Sequence, residues 1–355
     1  MSGILSDDKA VFIAVAESTY GTDAVDAAID ANTDLNYLAV LTGSALTPSP
    51  DFFRPNQVRA SQDGIAHTFV ARGGGVALNF PLRGGVGTTN LPNYAAILDC
   101  MGLDYVAGAS STVCTIKTRN DSSITLYKYQ RNISNDNWRL QRGLGIRLTA
   151  SFEGAMNQEA TGTATGRCIN NPEWTVDRAY FNANSEPALD WEGNSVTYTG
   201  AGTADTAERM ICKSMTLTVG GTSYPCSAFN FDLGFTIADL DSLTGAAPAM
   251  PIRSRGDGAN VTGNLSLEMV DASAYGTALD DALTKYQAST EAALVIVISG
   301  STRKLTITMP KIQFTRPTER PNNGAMGWDL GFTANGDFAS APFGDNSVVF
   351  TYASV

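Results

Sequence analysis

For most of its length the chain alternates apolar and polar residues with a period of two, and turn residues close each run. That pattern places one strand face in a core and the other in water, so it commits the chain to half-buried β-strands. The runs are GVALNFPLRG (75–84), SITLYKYQRN (123–132), LGIRLTASFEG (144–154), SMTLTVGGTSYPC (214–226) and SAFNFDLGFTI (227–237). Four more follow: VTGNLSLEMVD (261–271), AALVIVISG (292–300), KLTITMPKIQF (304–314) and MGWDLGFTANG (326–336). The pair Gly220-Gly221 between LTV and TSY predicts a hairpin turn. Helical spacing interrupts the alternation twice, in LPNYAAILDCMG (91–102) and ASAYGTALDDALTKYQ (272–287). In the second, Tyr275, Leu279, Ala282, Leu283 and Tyr286 form the apolar stripe, which leaves Asp280 and Asp281 mainly on the solvated face.

The two helices sit in matching places. Each follows a strand and precedes paired strands, so the halves share one plan although their residues differ. The expected organisation is an N-terminal segment (1–41), an extended arm (42–75), a first β domain (76–169), a connector (170–208), a second β domain (209–340) and a C-terminal tail (341–355). The arm carries Pro48, Pro50 and Pro55 around Phe52-Phe53, an apolar pair on a loop that either pins the arm to its own domain or meets a partner. The tail offers Val348, Phe350 and Tyr352 on one side of an expected edge strand, open to pairing with another chain. The connector lacks clean periodicity and contains Pro172 and Pro187.

Composition narrows the function. With 24 Lys and Arg against 35 Asp and Glu, the net charge is −11, the wrong sign for holding nucleic acid or anionic lipid by charge neutralisation. No apolar run approaches the roughly 20 residues that span a bilayer, and Asp7-Asp8 stand where a signal peptide carries positive charge. A cytoplasmic site of synthesis is therefore expected. Five cysteines with no C-x-x-C pair read as free thiols.

Catalytic chemistry finds little footing. The segment RGGVGTTN (83–90) mimics the order of a phosphate loop, yet no lysine follows its glycines, and Asn90 stands where a dinucleotide fingerprint needs its third glycine. A plain strand-to-helix turn is the expectation. His67, the single histidine, has no ligand-spaced cysteine and no G-x-S-x-G partner, so it reads as structural or solvent-facing. Carboxylate pairs occur as they would by chance in an acidic chain, and no EF-hand loop is present. No catalytic, cofactor or metal residue is assigned, and no cofactor is expected.

The stretch VAESTYGTDAVDAAIDANTDLNYLAV (15–40) resembles the opening of tail tube proteins of long-tailed bacteriophages, in which Glu-x-Thr-Tyr-Gly-Thr recurs. The later LTVGG hairpin, GNLSLEMVD strand, helix and LTITMPKIQF strand are similar to that family's body. The resemblance implies a mainly β protein: two tandem β-sandwich or curved-sheet domains, each with one flanking helix, plus extended arms. It further implies homo-oligomeric rings stacked into a virion tail tube, assembled in the host cytoplasm, with other tail proteins at its ends. DNA would pass through without specific binding, and no membrane anchor is implied. Single-domain relatives use six copies per ring, so three of these chains are expected, with six as the alternative. Glu153 and Glu268, with Arg147 and Asn264, lie on polar strand sides and are the candidate channel-lining residues. Phe52 and Phe53 are the candidate contacts between rings. Two rivals stand beside this reading: a β-rich virion decoration or adhesion protein, and a β-sandwich carbohydrate-active enzyme, for which Trp138, Trp174, Trp191 and Trp328 supply stacking faces.

Overall fold

The computed structural model describes residues 5–33, 35–48, 51–53, 68–71, 73–87, 90–116, 122–132, 137–170, 172–182, 187–198, 202–203, 207–213, 215–240, 250–254, 260–268, 272–322, 325–336 and 346–355. The chain begins with β1 (Leu5–Ala16), α1 (Ala24–Asp30), β2 (Leu35–Leu38), β3 (Ala45–Pro48), β4 (Asp51–Phe53), β5 (Thr68–Ala71) and β6 (Gly74–Pro81). Next come α2 (Ala95–Cys100), β7 (Leu103–Ala107), β8 (Ser111–Ile116), β9 (Ile124–Asn132), β10 (Trp138–Ala155) and β11 (Thr161–Cys168). After β12 (Gly202–Thr203) the second half contains β13 (Met215–Val219), β14 (Thr222–Ser223), β15 (Cys226–Asp232), β16 (Thr236–Leu240), β17 (Met250–Ser254) and β18 (Val261–Leu267). It closes with α3 (Ala272–Gln287), β19 (Ala292–Ser299), β20 (Arg303–Phe314), β21 (Thr318–Asn322), β22 (Ala325–Asn335) and β23 (Val349–Ser354). The fold is mainly β.

The ladders wrap these strands into a barrel-like sandwich around one core. The first sheet runs β3–β6–β11–β10–β15–β18–β22, and the end of β20 and all of β21 lie along the far side of β22. The second runs β7–β8–β23–β20–β19–β13–β14. Strand β20 belongs to both: Arg303–Thr308 pair with β23, while Lys311–Phe314 pair with β22. A third layer, β2–β1–β9–β10, uses the N-terminal half of β10 up to a bulge between Gly143 and Ile146.

Alternation sets the core. Val76, Leu78 and Phe80 on β6 and Leu294, Ile296 and Ile298 on β19 all point inward and are buried. Each such side chain contributes roughly 1.5–3 kcal/mol relative to exposure. Phe152 of β10 stands 5.3 Å from Phe231 and 4.9 Å from Phe350, so one aromatic group ties the first half, the second half and the C-terminal strand. Three glycines make room for rings beneath the first sheet. A Cβ at Gly162 would lie 2.5 Å from Phe80, at Gly154 2.5 Å from Phe229 and at Gly263 2.4 Å from Phe332.

Helix α3 occupies the expected residues, but Ala278 and Ala282 are its buried contacts, while Tyr286 is exposed. Tyr224 donates to Asp281 Oδ2 at 2.8 Å, and Lys285 pairs with the same carboxylate, so Asp281 faces the sandwich and Asp280 faces water. Gly220 and Gly221 take φ of 59° and 89°, as the β13–β14 hairpin turn requires. Helix α1 was not foreseen. It is a single short stretch capped by Asp23, whose side chain accepts from the Asp26 amide at 3.0 Å.

Two sequence expectations need correction. The C-terminal strand β23 is not an edge: it pairs with β20 on one side and β8 on the other, and Val348, Phe350 and Tyr352 are buried in the core. The segment after β11 is more than a connector. Tyr180, Phe181, Leu189, Trp191 and Tyr198 fold back over the third layer and build a second core with Ile13, Val25, Ile29, Tyr127, Tyr129 and Leu140. Aromatic contacts such as Tyr129–Phe181 at 4.8 Å and Trp138–Phe181 at 5.1 Å hold it.

The same order of ladders occurs twice. In the first half β1–β9–β10 leads into β3–β6–β11–β10, and in the second β13–β19–β20 leads into β15–β18–β22 with β20 and β21. Each first hairpin also carries a two-stranded arm, β4–β5 in one half and β16–β17 in the other. The halves do not stand apart: β10 pairs with β15, and β8 pairs with β23.

Candidate channel-lining face

The outer face of the first sheet carries polar or small residues. Outward positions are Thr161, Thr163, Thr165 and Arg167 on β11, and Thr149, Ser151 and Glu153 on β10. They continue as Asn230 and Asp232 on β15, Thr262, Asn264 and Ser266 on β18, and Asp329, Gly331, Thr333 and Asn335 on β22. Outward residues on β6 are small or amide: Gly75, Ala77 and Asn79. None of these is a large apolar residue, although their inward neighbours are buried or glycine apart from the half-buried Trp328.

Cross-strand register groups the side chains. Thr149 and Thr165 face each other with hydroxyl oxygens 3.3 Å apart, and Thr161 donates to Glu153 Oε1 at 3.3 Å. Where the halves meet, Ser151 stands opposite Asp232 and Glu153 opposite Asn230, with Asn264 next to Asn230 on the following strand. A shallow concavity lies over this seam, lined by Ser151, Glu153, Asn230, Asp232, Thr262 and Asn264. Glu153 and Asp232 are exposed there.

Of the candidate lining residues, Glu153 and Asn264 lie on this polar face. Glu268 follows the last residue of β18 with the same parity, and Arg320 of β21 holds it at 3.5 Å while reaching Asp329 at 3.2 Å. Its charge is therefore balanced locally. Arg147 departs from the expectation. It has the right parity but is 3% exposed, and its guanidinium lies over the Tyr20 ring at 5.0 Å. Phe52 and Phe53 sit in β4, opposite Phe69 and Thr68 of β5, in an arm continuous with the β3–β6 hairpin. His67 lies outside the described residues. Asp232, Asn230 and the threonine rows were missed as site residues, although SAFNFDLG and TGTATGR showed them by alternation.

The glycine segment is a turn filled from outside. A Cβ at Gly85 would meet Asn90 O at 1.8 Å, and Arg303 bonds to Asn90 Oδ1 and to Gly87 O at 3.2 Å. The six-residue α2 that follows is buried through Ala95, Ile97, Leu98 and Cys100. Free thiols are also as expected: all five cysteines are unbridged and buried. Burial pushes the thiols of Cys114, Cys168 and Cys226 up to about 12 and that of Cys212 to about 11, so none is a ready nucleophile. Among the described residues no group of three His, Cys, Asp or Glu is placed to hold a metal ion.

The stretch that carries the family resemblance forms a hydrogen-bonded knot behind this face. Glu17 accepts from the Gly21 amide at 2.8 Å, the Ser123 hydroxyl at 2.6 Å, the Thr125 hydroxyl at 2.9 Å and the Gly145 amide at 2.7 Å. Asp23 accepts from Tyr127 at 2.6 Å and Arg142 at 2.9 Å, and Arg142 lies 4.0 Å over Trp191. Burial raises the Tyr127 hydroxyl far above its ordinary range, so it stays a donor. The knot fixes where β10 bends from the third layer into the first sheet.

No family model matches this chain, and no curated protein does. A solved chain from the virion of a native gene transfer agent particle matches 35% of this chain and 93% of its own length. Identity is 13% and the TM-score 0.24. A likeness of that degree carries no argument about fold or function.

Proposed function

We propose that the chain is a structural virion protein whose rings stack into a tail tube, with the outer face of the first sheet lining the conduit. The observation that carries this reading is that face: one broad sheet with a buried side and a side of short hydroxyl, amide and carboxylate groups. The resemblance of residues 15–40 supports it independently. DNA carries a phosphate charge every ~1.7 Å of helix axis, so a wall that must let it slide needs few cations. Here Glu153, Asp232, Glu268 and Asp329 stand against Arg167, Lys311 and Arg320, four carboxylates to three cations. Hydroxyls and amides hold a water layer, and the surplus of carboxylates repels phosphate. Because the strand order occurs twice, three chains supply six ring-building units. The β4–β5 and β16–β17 arms are the proposed contacts between rings, Phe52 and Phe53 among them.

Electron microscopy of concentrated protein tests the proposal. Rings or hollow tubes are expected without any cofactor. A chain that stays monomeric across salt and concentration would overturn it.

A further inference from the structure

We propose that Tyr20 is a positioning residue of the conduit wall, whose ring covers Arg147 and keeps a cation of the lining face away from phosphate. The inference rests on the tail-tube reading and gives a task to the stretch Glu17–Thr22, the Glu-x-Thr-Tyr-Gly-Thr of this chain.

Arg147 belongs to the wall by its place in the strand. It shares the parity of Thr149, Ser151 and Glu153 on β10 and stands directly opposite Arg167 of β11. Arg167 is exposed, whereas Arg147 is only 3% exposed. The Tyr20 ring, 5.0 Å from the Arg147 guanidinium, lies over one and not the other. Directly opposite residues of a ladder are near neighbours, so two guanidiniums there could grip one phosphate together. With the ring in place only Arg167 is presented. An aromatic face also attracts a cation without adding a carboxylate.

The cover is a built feature. Gly145 takes φ of 58°, and a Cβ there would stand 3.0 Å from Tyr20 Cζ, so the ring needs glycine beneath it. Gly21 takes φ of 74°, and a Cβ there would stand 2.6 Å from Ile169 Cδ1. Glu17 fastens both glycines by accepting their amides at 2.8 and 2.7 Å. The Tyr20 hydroxyl is buried and finds no hydrogen-bond partner among the described residues. Burial also raises it above its ordinary range, so the cover is uncharged and acts through its ring.

The second half screens the same position by other means. The β10–β11 ladder opens with Arg147↔Arg167 and the β20–β22 ladder with Lys311↔Asn335, which makes Lys311 the counterpart of Arg147. Glu291 Oε2 stands 3.8 Å from Lys311 Nζ, and Glu291 Oε1 accepts from Asn335 at 3.0 Å. Arg320 is likewise held by Glu268 and Asp329. A ring in one half and a carboxylate in the other are unlike solutions at one strand position. They point to a demand of the face rather than of local packing.

Phenylglyoxal labelling of the free chain, read by peptide mass spectrometry, tests the cover. Arg167 should react and Arg147 resist in the wild type and in Tyr20→Phe, while both should react in Tyr20→Ala. Tubes of Tyr20→Ala should bind duplex DNA on the order of tenfold more tightly than wild-type tubes, as one added charge-assisted contact allows, and lose it as salt rises. Tyr20→Ala/Arg147→Gln should return to the wild-type level. Glu291→Gln, at an exposed carboxylate, repeats the test at Lys311 without touching the core and should also raise DNA binding. Arg147 that reacts as fast as Arg167 in the wild type, or Tyr20→Ala and Glu291→Gln tubes that bind no more DNA than wild type, would overturn the cover and leave the tube reading standing. A wild-type chain that forms no tubes would overturn both.

Discussion

The two sheets of the sandwich bury the same kind of residue and differ in what stands between their exposed threonines. On the second sheet the outward row includes Val113, Val295, Val297 and Val349, with Thr306, Thr308 and Thr351 between them. Val106 on its edge is 67% exposed. These are β-branched residues, the types that favour a pleated surface. The first sheet keeps that advantage in the threonines of β10 and β11 and gives it up in part on β15, β18 and β22. Asn230, Asp232, Asn264, Asp329 and Asn335 are poor strand formers, and Gly263 and Gly331 interrupt two of the same strands. Yielding local propensity on three adjacent strands while keeping the core intact is what a face with a task other than folding would show. The second sheet can then be read as the scaffold.

Breaking the shared core should have the largest effect. Phe152→Ala empties the aromatic group between the sheets, and a loss of about 3–5 kcal/mol is expected in denaturant unfolding. A loss under ~1 kcal/mol would mean that the two sheets do not depend on one another.

A smaller effect distinguishes a hydrogen-bonded hinge from either face. Glu208 grips the β19–β20 turn, accepting from the Ser301 amide, from the Thr302 amide and hydroxyl at 2.9 Å each, and from the Arg303 amide at 2.9 Å. Its slight burial works to raise its carboxyl, but the amides of Thr302, Ser301 and Arg303 outweigh that and hold it down to about 2. A depressed carboxyl contributes stability above its ordinary value of 4.5 and loses it as pH falls toward 2. Because water screens this exposed carboxylate, Glu208→Gln should cost only about 0.5 kcal/mol at neutral pH and flatten the acid limb of the stability profile. An unchanged acid limb would remove the carboxylate from this role.

The comparison between faces is sharpened by exchanging their residues. Asn264→Val on the first sheet should raise stability by a few tenths of a kcal/mol, and Val297→Asn on the second should lower it by about 1 kcal/mol. The stabilised variant should assemble poorly or aggregate. If both substitutions were neutral in stability and assembly alike, the contrast between faces would have no physical content.

Smallest in stability and largest in function is a charge test. Glu153→Lys with Asp232→Lys leaves the core untouched, so unfolding should move by less than ~0.5 kcal/mol. Assembled tubes of this variant should bind duplex DNA at moderate salt where wild-type tubes do not. Equal DNA binding by both would place these residues away from the conduit.

Much of this contrast was legible in the sequence, because alternation names both faces of a strand at once. FNFDLG shows Asn230 and Asp232 as plainly as it shows Phe229 and Phe231. Helix α3 was legible from its stripe, and the β13–β14 turn from two glycines. What could not be read depends on distant partners. Arg147 has the parity of a lining residue, but Tyr20, 127 positions earlier, covers it. The strand β23 looked like an edge because β8, which closes its second side, lies more than two hundred residues away in sequence. The second core is built from isolated aromatics such as Tyr180 and Trp191, which carry no period to read. Helix α1 is too short for periodicity to separate it from a loop.

The central claim is that the polar face of the first sheet lines a channel built by three chains. Cryo-electron microscopy of assembled tubes, reconstructed without imposed symmetry, tests it directly. The account predicts three chains per ring, a six-fold appearance at low resolution, and Glu153, Asp232 and Asn264 facing the lumen. Rings in which those side chains face outward or lie buried against a neighbour, with the valine-bearing face of the second sheet toward the channel, would contradict it.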